Sequence, residues 1–462
     1  MGDTFVVVGG DAAGMSAASK AKREDSDLDV VVFEKGEYVS YAACGMPYYV
    51  KGEVETIDDL VQITPEEFRE ERDVDLRTHH EVVEVDTDAR EVTVEPQPGA
   101  ADAAGESAGE RFTQAYDDLL IATGASAIEP PFPGIDLDGV FTIHALDEAD
   151  AIHEYVAETG AETAAIVGGG YVGIEMAEAL DGRGLDVSLF EMLPHVLQPF
   201  GESVATVMED HLEKQGVALH LETAVEGFSG RYEGGVKGVD LEDGEETPAD
   251  VVIVGVGVAP NSDLAEAAGI VIGETGAVAV DEYGRTTVDD VWAAGDCAEA
   301  THVVTGEADH VPLALTANRA GRAIGESVAT GDLRETGGIA GTAIVKGFDL
   351  GAARTGVLDE ERAEAAGFDP VSVEIQAASR AHYYPGAEQV TVKLVADASS
   401  GRVLGASIVG KEGAKRIDTV ATALHAGMAV HDLEQLDLAY APPFSPVWDP
   451  VLTAAKVLGG KL

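Results

Sequence analysis

The stretch Thr163-Ala-Ala-Ile-Val-Gly-Gly-Gly-Tyr-Val-Gly173 decides the fold of this 462-residue chain. Its first five residues form an apolar run typical of a buried parallel strand, and a G-x-G-x-x-G turn follows directly. The helix predicted over 174–183 brings free backbone N–H groups to the turn, where they would face a pyrophosphate. The next predicted strand ends at Glu191, whose carboxylate would take a ribose diol and repel a 2′-phosphate. The pattern therefore predicts a dinucleotide site that prefers NADH to NADPH.

The same unit occurs a second time, at the start of the chain. A strand-like run over 4–8 leads into Gly9-Gly-Asp-Ala-Ala-Gly14, with Asp11 in place of the middle glycine, and a helix of small residues follows. The next predicted strand ends at Glu34, again placed for ribose hydroxyls. One glycine pattern alone is a weak signal, but its repetition with strand, helix and acid strongly indicates two dinucleotide modules.

The remaining segments complete these modules and add a third part. Buried strands predicted over 119–122 and 250–256 end in turns beside the nucleotide sites, and Trp292-Ala-Ala-Gly295-Asp296 offers a carboxylate to a polyhydroxyl such as the ribityl chain of FAD. We predict an α/β fold with two Rossmann-like dinucleotide-binding domains, for FAD and NAD, plus a C-terminal α+β dimerisation domain. The predicted boundaries are 1–130 (FAD-binding, first part), 131–255 (NAD(P)H-binding), 256–334 (FAD-binding, second part) and 335–462 (dimerisation).

The overall charge excludes some classes of partner. The chain has 85 acidic and 29 basic residues, a formal charge of −56, and a normal hydrophobic share of 45%. Such a field opposes nucleic acids and anionic membranes, and no stretch is long and apolar enough to cross a bilayer. A folded protein with this surface suits a high-salt cytoplasm, so we expect a halophilic, cytoplasmic protein. The two cysteines are far apart and indicate no disulfide framework, and no metal site is predicted.

The stretch Ser40-Tyr-Ala-Ala-Cys44-Gly-Met-Pro-Tyr-Tyr49 carries the candidate nucleophile. A thiol near the start of a helix is favoured as the thiolate, its reactive form, by free N–H groups and the helix dipole. A lone cysteine is more often a small buried hydrophobe. Two modules able to deliver electrons favour the functional interpretation of Cys44, whereas nothing around Cys297 suggests reactivity, and we interpret it as structural.

Two further groups of residues attract attention. Lys20, Lys22 and Arg23 follow the first fingerprint, and Arg72, in a helix predicted over 65–72, could join them. A basic cluster is unusual in so acidic a chain and suggests a local anionic ligand rather than a solvated face. The second group consists of three tyrosines beside prolines, Tyr383, Tyr384 and Tyr440. For these residues, a functional phenol and simple aromatic packing are equally good interpretations.

Together these features resemble the flavoprotein disulfide reductases with two dinucleotide-binding domains, over nearly the whole chain. The resemblance rests on both fingerprints, on Ala122-Thr-Gly124 and Ala294-Gly-Asp296, and on the C-terminal domain. Within that superfamily the chain is similar to the single-cysteine branch, in particular to coenzyme A-disulfide reductase. The motifs that carry this similarity are Ser40–Tyr49, Tyr383-Tyr-Pro-Gly386, Gly410-Lys-Glu-Gly413 and Ala439-Tyr-Ala-Pro-Pro443.

The resemblance implies an enzyme that passes a hydride from NADH (NADPH being less favoured) to FAD, and two electrons from FAD to Cys44. It also implies a mixed disulfide of Cys44 with coenzyme A (CoA), and a homodimer in which Tyr383 and Tyr440 of the partner subunit donate protons. The cofactor-binding residues are expected to be Gly9, Gly10, Gly14, Glu34, Lys35, Thr123, Gly124, Gly295 and Asp296 for FAD, and Gly168, Gly170, Tyr171, Gly173, Glu175, Glu191 and Gly257 for the second module. The implied CoA-binding residues are Ser16, Lys20, Arg23, Ser40 and Arg72.

Some positions depart from the family pattern and keep alternatives open. Ala12 stands where NADH peroxidases and water-forming NADH oxidases carry a histidine, which argues against peroxide chemistry. Ala43 replaces an asparagine typical of the CoA enzymes, so another low-molecular-weight disulfide stays possible. No rhodanese segment is visible, and a persulfide reductase with its own sulfur-transfer module is not expected. The alternatives are an NADH oxidase in which Cys44 cycles through a sulfenic acid, an electron-transfer flavoprotein reductase in which Cys44 is incidental, and a non-catalytic nucleotide-binding module.

Overall fold

The computed structural model describes residues 3–100, 109–232 and 234–462. Eight of the residues between 96 and 111, a stretch rich in Gly, Ala, Glu and Ser that predicts a surface loop, lie outside the described residues. Up to residue 127 the elements are β1 (Thr4–Val8), α1 (Ala12–Glu24), β2 (Asp29–Glu34), α2 (Met46–Lys51), α3 (Pro65–Glu71), β3 (Asp75–Thr78), β4 (His80–Asp86), β5 (Glu91–Pro96), β6 (Phe112–Ala115), β7 (Asp118–Ile121) and β8 (Ala125–Ala127). Next come β9 (Val140–Phe141), α4 (Leu146–Thr159), β10 (Thr163–Val167), α5 (Tyr171–Gly182), β11 (Asp186–Phe190), α6 (Glu202–Gln215), β12 (Ala218–His220), β13 (Val225–Gly230), β14 (Val236–Leu241), β15 (Glu246–Pro248) and β16 (Val251–Val254).

The second half of the chain holds the remaining elements. Those before residue 335 are β17 (Val258–Pro260), α7 (Asp263–Ala267), β18 (Val291–Ala293), β19 (Ala300–Thr301), β20 (Ala308–Asp309) and α8 (Ala314–Thr330). The C-terminal part contains β21 (Ala343–Gly347), β22 (Leu350–Gly356), α9 (Glu360–Ala365), β23 (Pro370–Ala378), β24 (Gln389–Asp397), β25 (Val403–Gly410), α10 (Ile417–His425), α11 (Val430–Glu434) and α12 (Pro450–Gly459). Short 3₁₀ turns occupy Ala43–Gly45, Ile57–Leu60, Gln198–Phe200 and Ala414–Arg416.

Two five-stranded parallel sheets share one layout. Their strand orders are β18-β7-β1-β2-β3 and β12-β11-β10-β16-β9. Because β1 has β2 on one side and β7 on the other, the strand order reverses beside it, and the same holds for β10 between β11 and β16. A dinucleotide binds at the carboxyl ends of the strands at such a switch point. Each sheet is covered on one face by a small antiparallel sheet, β4-β5-β6 or β13-β14-β15, and four of the five residues of its central strand, β1 or β10, are buried.

The first parallel sheet is assembled from two distant parts of the chain. Strand β18 pairs with β7, and helix α8 packs along α1. A Cβ at Gly321 would lie 2.1 Å from the carbonyl oxygen of Ala13, and one at Gly325 would lie 2.2 Å from that of Ala17. Only glycine permits this approach, so the small residues of α8 bring it against the helix of the first fingerprint. The domain boundaries stated above stay predictions.

The C-terminal part is an antiparallel sheet of order β21-β22-β25-β24-β23 with helices packed on it. All eight residues of its middle strand β25 are buried. Three apolar side chains nearby, Phe444, Val447 and Trp448, are 75%, 66% and 52% exposed in the single chain. An apolar surface of this kind marks an interaction site. Among the described residues, no helix combines the length and apolar character that a bilayer span needs.

Several element limits differ from those predicted. The helices after the fingerprints begin at Ala12 and Tyr171 rather than at residues 15 and 174, because the last glycine of each motif already lies in the first helical turn. In the C-terminal domain a 3₁₀ turn, Ala414–Arg416, leads directly into α10, which begins at Ile417. The predicted α/β architecture with an α+β C-terminal domain is confirmed.

Candidate active site

The two glycine-rich turns are built alike. A Cβ at Gly14 would lie 1.9 Å from the carbonyl oxygen of Gly9, and a Cβ at Gly173 would lie 1.9 Å from that of Gly168. Gly9 and Gly168 have φ values of +110° and +108°, which residues with a side chain rarely adopt. Both fingerprints therefore hold the helix against the strand and leave the helix N-terminus open towards a phosphate.

The acid predicted at the end of the second strand reaches its own fingerprint in both modules. Glu34 accepts hydrogen bonds from the N–H groups of Gly10 and Gly36, each at 2.7 Å. Glu191 accepts from Gly169 at 2.7 Å and from Leu193 at 2.8 Å. These bonds hold each carboxylate at the edge of the turn, where a ribose diol would donate to it. The repeated geometry fits two nucleotide cofactors.

Two turns of the first module, one after β7 and one after β17, are hydrogen-bonded to each other. Thr123 Oγ1 donates to the carbonyl oxygen of Asn261 at 2.6 Å, and Asn261 Nδ2 donates to that of Thr123 at 2.9 Å. The carbonyl of Gly257 accepts from the N–H of Ile128 at 3.0 Å. Gly124 lies between these links. The segment that returns the chain from the second module to the first is therefore hydrogen-bonded to Thr123 and Gly124, two of the predicted FAD-binding residues.

Three carboxyl groups converge at the first fingerprint. Burial raises the pKa of Asp11 to about 6, and the charges of Glu34 and Asp296 act in the same direction. Asp11 Oδ1 is buried, and no hydrogen-bond partner for it occurs within the described chain. Burial also raises the pKa of Asp296, which follows Gly295. The backbone carbonyl of Asp296 lies 2.8 Å from His310 Nε2, within hydrogen-bond distance. An unpartnered acceptor among carboxylates fits a ligand rich in hydroxyl donors, as the ribityl and ribose groups of FAD are.

Cys44 lies in the 3₁₀ turn Ala43–Gly45, and helix α2 begins two residues later. Solvent reaches its thiol, yet the surrounding protein and the charges of Glu175 and Asp296 raise the thiol pKa. The expectation that the helix start favours the thiolate is therefore wrong for the chain by itself. Desolvation by the surrounding protein is the largest cause, and the negative charges of Glu175 and Asp296 add to it.

Glu175 and Glu178 lie one turn apart on α5 and face the segment that carries Cys44. Burial raises the pKa of Glu175 to about 7, the charge of Glu178 adds to this, and Lys346 and a hydrogen bond from Tyr48 oppose it. Glu178 is itself 5% exposed, and its Oε1 accepts from Lys51 Nζ at 2.8 Å and from Lys346 Nζ at 2.6 Å. Sequence reasoning missed Glu178, although its spacing of three residues from Glu175 on a helix of mostly apolar residues was a visible signal.

The aromatic side chain of the second fingerprint also has a defined place. The ring of Tyr171 packs edge-on against Phe200, with 5.4 Å between ring centroids. Tyr171 stands at the first position of α5, between Gly170 and Gly173. A role in covering a flavin stays a prediction.

The predicted CoA-binding residues on α1 are brought against α8. Ser16 Oγ donates to Asn318 Oδ1 at 2.6 Å. Lys20 forms ion pairs with Glu24 and, at 2.9 Å, with Glu326. Asn318 was not among the predicted ligand residues, since only the fold brings it to α1. An anionic ligand would have to compete with two carboxylates for Lys20.

The other basic residues do not form one face. Arg23 is exposed on the same side of α1 as Lys20, and Arg72 Nη1 donates to Ser19 Oγ of that helix at 3.2 Å. Lys22 pairs with Asp73, the neighbour of Arg72, at 2.7 Å. At about 100° per residue, Lys20 and Lys22 are about 200° apart around α1, so their side chains leave the helix on different sides.

Ser40 and Lys35 frame the first module. The N–H of Ser40 donates to the carbonyl of Gly10 at 3.0 Å, and its carbonyl accepts from Gln62 at 3.0 Å. Its φ of +49° is uncommon for a residue with a side chain, and these two bonds hold it. Lys35 follows Glu34 and is exposed. Ser40 thus links the fingerprint to the Cys44 segment.

Tyr383 and Tyr440 lie together at the surface of the C-terminal domain. Their hydroxyl oxygens are 3.2 Å apart, and the side chains are 65% and 46% exposed. The hydrogen bond with Tyr383 raises the pKa of Tyr440. Two phenols in hydrogen-bond contact can donate and relay a proton.

Known proteins resemble this chain over its whole length. Residues 3–321 match the family described as pyridine nucleotide-disulphide oxidoreductase, and residues 342–450 match the dimerisation domain of that family. A relative from Pyrococcus horikoshii, named NAD(P)H coenzyme A polysulfide/persulfide reductase, is 41% identical over 98% of both chains. A coenzyme A disulfide reductase from Staphylococcus haemolyticus is 31% identical over 96% of both.

A solved structure agrees with these relatives. The NAD-dependent persulfide reductase from A. fulgidus is 41% identical, with a TM-score of 0.92, and the match covers 99% of this chain and 83% of that one. The dimerisation domain and the relatives support a homodimer that acts on disulfide substrates. The chain therefore belongs to the pyridine nucleotide-disulphide oxidoreductase family and is an FAD- and NAD(P)H-dependent oxidoreductase.

Proposed function

We propose that this chain reduces CoA disulfide with NADH, through FAD and the single redox cysteine Cys44. The observation that carries the proposal is the place of Cys44. Cys44 is the exposed one of the two cysteines. Helix α2 follows it, and Lys51 at the end of α2 forms an ion pair with Glu178 of the second module. The charge of Glu175, also in the second module, acts on the pKa of the Cys44 thiol. A thiol placed between two nucleotide modules can exchange electrons with a flavin in one and, through it, with a nicotinamide in the other.

Bound FAD would accept a hydride from NADH and supply two electrons to sulfur. The Cys44 thiolate attacks one sulfur of CoA disulfide, so a Cys44–CoA disulfide bond forms, the substrate S–S bond breaks and one CoA thiolate leaves. Two electrons then break the mixed disulfide and release the second CoA thiolate. The phenol pair, contributed by the partner subunit, would protonate the leaving thiolates. The net reaction consumes NADH, CoA disulfide and one proton and yields NAD⁺ and two CoA thiols.

The preference for CoA rests on the α1 face. Ser16, Lys20 and Arg23 follow one another at helical spacing on one side of α1, and Arg72 reaches that helix from outside. Phosphate groups are the ligands that such donors and cations bind best. The CoA moiety carries a 3′-phosphate and a pyrophosphate, and the names of relatives from two genera include coenzyme A. Glu191 at the second fingerprint favours NADH as the donor.

A second candidate substrate is a CoA persulfide or polysulfide. The relative with that name shares 41% of its residues with this chain, compared with 31% for the staphylococcal disulfide reductase. Attack of Cys44 on a persulfide follows the same chemistry as attack on a disulfide, except that the released group is sulfide. Ala43 in the cysteine segment is a further reason to test both substrates.

The decisive experiment is an anaerobic NADH titration of the purified holoenzyme in high salt, followed by addition of CoA disulfide. An enzyme with FAD and a Cys44 mixed disulfide takes up about two NADH per subunit, and a long-wavelength thiolate-to-flavin band appears. Reoxidation by CoA disulfide with release of CoA supports the proposal; reoxidation by CoA persulfide with release of sulfide supports the second candidate. Reoxidation by oxygen alone identifies an NADH oxidase and overturns both.

The matched pair of variants is Cys44→Ser and Cys297→Ser. Cys44→Ser should abolish disulfide reduction and the long-wavelength band and leave dye reduction by NADH intact. Cys297 is buried, and its Sγ contacts the carbonyls of Ile121 and Ala294, which a serine hydroxyl can also reach. Cys297→Ser should therefore keep the activity. Full disulfide turnover by Cys44→Ser would leave an electron-transfer reductase as the better description.

A further inference from the structure

The motif Gly410-Lys-Glu-Gly413 has no part in the steps above, yet it leads directly to a buried arginine. The 3₁₀ turn Ala414–Arg416 follows it, and the side chain of Arg416 is 13% exposed. Its Nη2 donates to two backbone carbonyls, that of Ser379 at 2.7 Å and that of Phe444 at 2.8 Å. One guanidinium group thus joins two loops that are far apart in sequence.

These two loops are the ones that carry the phenol pair. Ser379 lies four residues before Tyr383, and Phe444 lies four residues after Tyr440. The loops also contact each other directly, where the N–H of Ala381 donates to the carbonyl of Pro442 at 3.2 Å and where the two phenols meet at 3.2 Å. Both direct contacts are longer than the two hydrogen bonds that Arg416 Nη2 donates.

Arg416 is itself held from two sides. Its Nε donates to Asp449 Oδ2 at 2.8 Å, and Asp449 also caps α12 by accepting from the N–H of Val451 at 2.9 Å. Its Nη1 donates to the carbonyl of Glu412, a residue with a φ of +58°. The glycine-bounded turn therefore gives the guanidinium a fixed place, and the carboxylate of Glu412 pairs with Arg380 of the first loop.

We propose that Arg416 is a positioning residue for disulfide reduction, because it holds the two loops where Tyr383 and Tyr440 share a hydrogen bond. The inference rests on the proposed function, in which these phenols protonate CoA thiolates. A planar guanidinium can serve three carbonyls and a carboxylate at fixed angles, whereas a lysine ammonium is a point donor. A displacement of about 1 Å at a reacting group can cost about 100-fold in rate.

The test is Arg416→Lys in the holoenzyme, with Arg402→Lys as the matched control. Arg402, which like Arg416 belongs to the C-terminal domain, also donates to a backbone carbonyl, that of Val303 at 2.9 Å, and this bond involves neither loop of the phenol pair. Arg416→Lys should lower kcat for CoA disulfide about 10- to 100-fold with little change in KM, and leave NADH-dependent dye reduction and the dimer intact. Ultraviolet titration should show the pKa of Tyr440 falling towards that of an unpaired phenol. Arg402→Lys should change none of these.

The double variant separates positioning from stability. In a Tyr383→Phe background, Arg416→Lys should cost little further turnover, because the pair it positions is already gone. Independent, multiplicative losses, or unchanged turnover and tyrosine titration in Arg416→Lys, would overturn the inference. If Tyr383→Phe and Tyr440→Phe both keep full activity, the proposed role of the phenols fails instead. Should Arg416→Lys not assemble, Asp449→Asn loosens the same guanidinium, and native kcat and titration in that variant also refute positioning.

Discussion

Tyr383 and Tyr440 are 57 residues apart in sequence, and their hydroxyl oxygens lie 3.2 Å apart. Neither side chain is buried, so hydrophobic packing of the single chain does not explain the contact. The hydrogen bond with Tyr383 raises the pKa of Tyr440, so the Tyr440 phenol keeps its proton at neutral pH. A protonated, solvent-accessible phenol pair is suited to protonate a leaving thiolate.

Replacing either phenol by phenylalanine should slow disulfide reduction. We expect Tyr440→Phe to lower kcat for CoA disulfide about 10- to 100-fold, below the full effect of a general acid because thiolates are fair leaving groups. The double variant should be little worse than either single one, since the two act as a unit. Tyr232→Phe, at a fully exposed position of the second module, is the control. Stopped-flow measurement of CoA release checks this, and unchanged release in Tyr440→Phe would contradict it.

Glu175 should control the reactivity of Cys44 in a pH-dependent way. The pKa of Glu175 is raised to about 7, so its charge grows between pH 6 and 8, and this charge opposes thiolate formation at Cys44. In Glu175→Gln the pKa of Cys44 should fall, and alkylation of the reduced enzyme should be faster than in wild type. The alkylation rate of Glu175→Gln divided by that of the wild type should rise from pH 6 to pH 8, because Glu175 in the wild type loses its proton over that range.

The control for that measurement is Glu364→Gln, an exposed position on α9. Alkylation by a neutral reagent, with Cys297 replaced by serine, reports Cys44 alone. A pH-independent ratio would mean that Glu175 acts on the thiol through packing and not through its charge.

Glu178 should stabilise the fold at neutral pH. Burial favours its neutral form, but hydrogen bonds from Lys346 and Lys51 outweigh this and hold the pKa below its usual range. A carboxyl group with a lowered pKa adds stability that is present above its unfolded pKa and is lost as the pH falls. Glu178→Gln should therefore cost about 1 to 3 kcal/mol of unfolding free energy at pH 7, and less near pH 4.

Urea unfolding at the two pH values checks this prediction, with Glu158→Gln on the exposed face of α4 as the control. Lys346 is half exposed, so solvent screens its charge and limits the stability that is lost. An equal loss at pH 7 and pH 4 would show that shape, rather than charge, is what Glu178 contributes.

Local pattern was sufficient to predict the two glycine-rich turns and the acids beside them, because each lies in a strand–turn–helix unit, but it did not predict the contact between Tyr383 and Tyr440. It failed where distant segments meet. The thiol pKa of Cys44 depends on Glu175, which the fold brings from the other module. The ion pair of Lys20 depends on α8, and no spacing within α1 reveals Glu326. Side-chain surroundings of this kind follow from tertiary packing, which short-range periodicity does not contain.

Lys20 should contribute to affinity for the phosphates of CoA. Lys20→Met should raise KM for CoA disulfide several-fold with little change in kcat, because the lost contact is the same in the ground and transition states. A disulfide of the same thiol arm without its nucleotide should be unaffected. Glu326→Gln, which frees Lys20 from one competing carboxylate, should lower KM. Lys237→Met in the second module is the control. Equal effects on both disulfides would remove Lys20 from the CoA site.

High salt should stabilise this protein rather than weaken it. Its formal charge is −56, and four carboxylates line a single recess of the second module: Glu129, Asp136, Asp147 and Glu148. Raising the salt from about 0.1 M to about 1 M shortens the screening length from about 10 Å to about 3 Å, which removes most repulsion between such groups. Surface ion pairs are also weakened, but each contributes only about 0–1 kcal/mol. Repulsion should dominate, so the midpoint of thermal unfolding and NADH-dependent activity should both rise with KCl.

Sucrose at matched osmolality, which stabilises without screening, separates the charge effect from general exclusion. A protein equally stable and active without added salt would refute the high-salt assignment, because its carboxylates would then have to be neutralised by contacts within the fold.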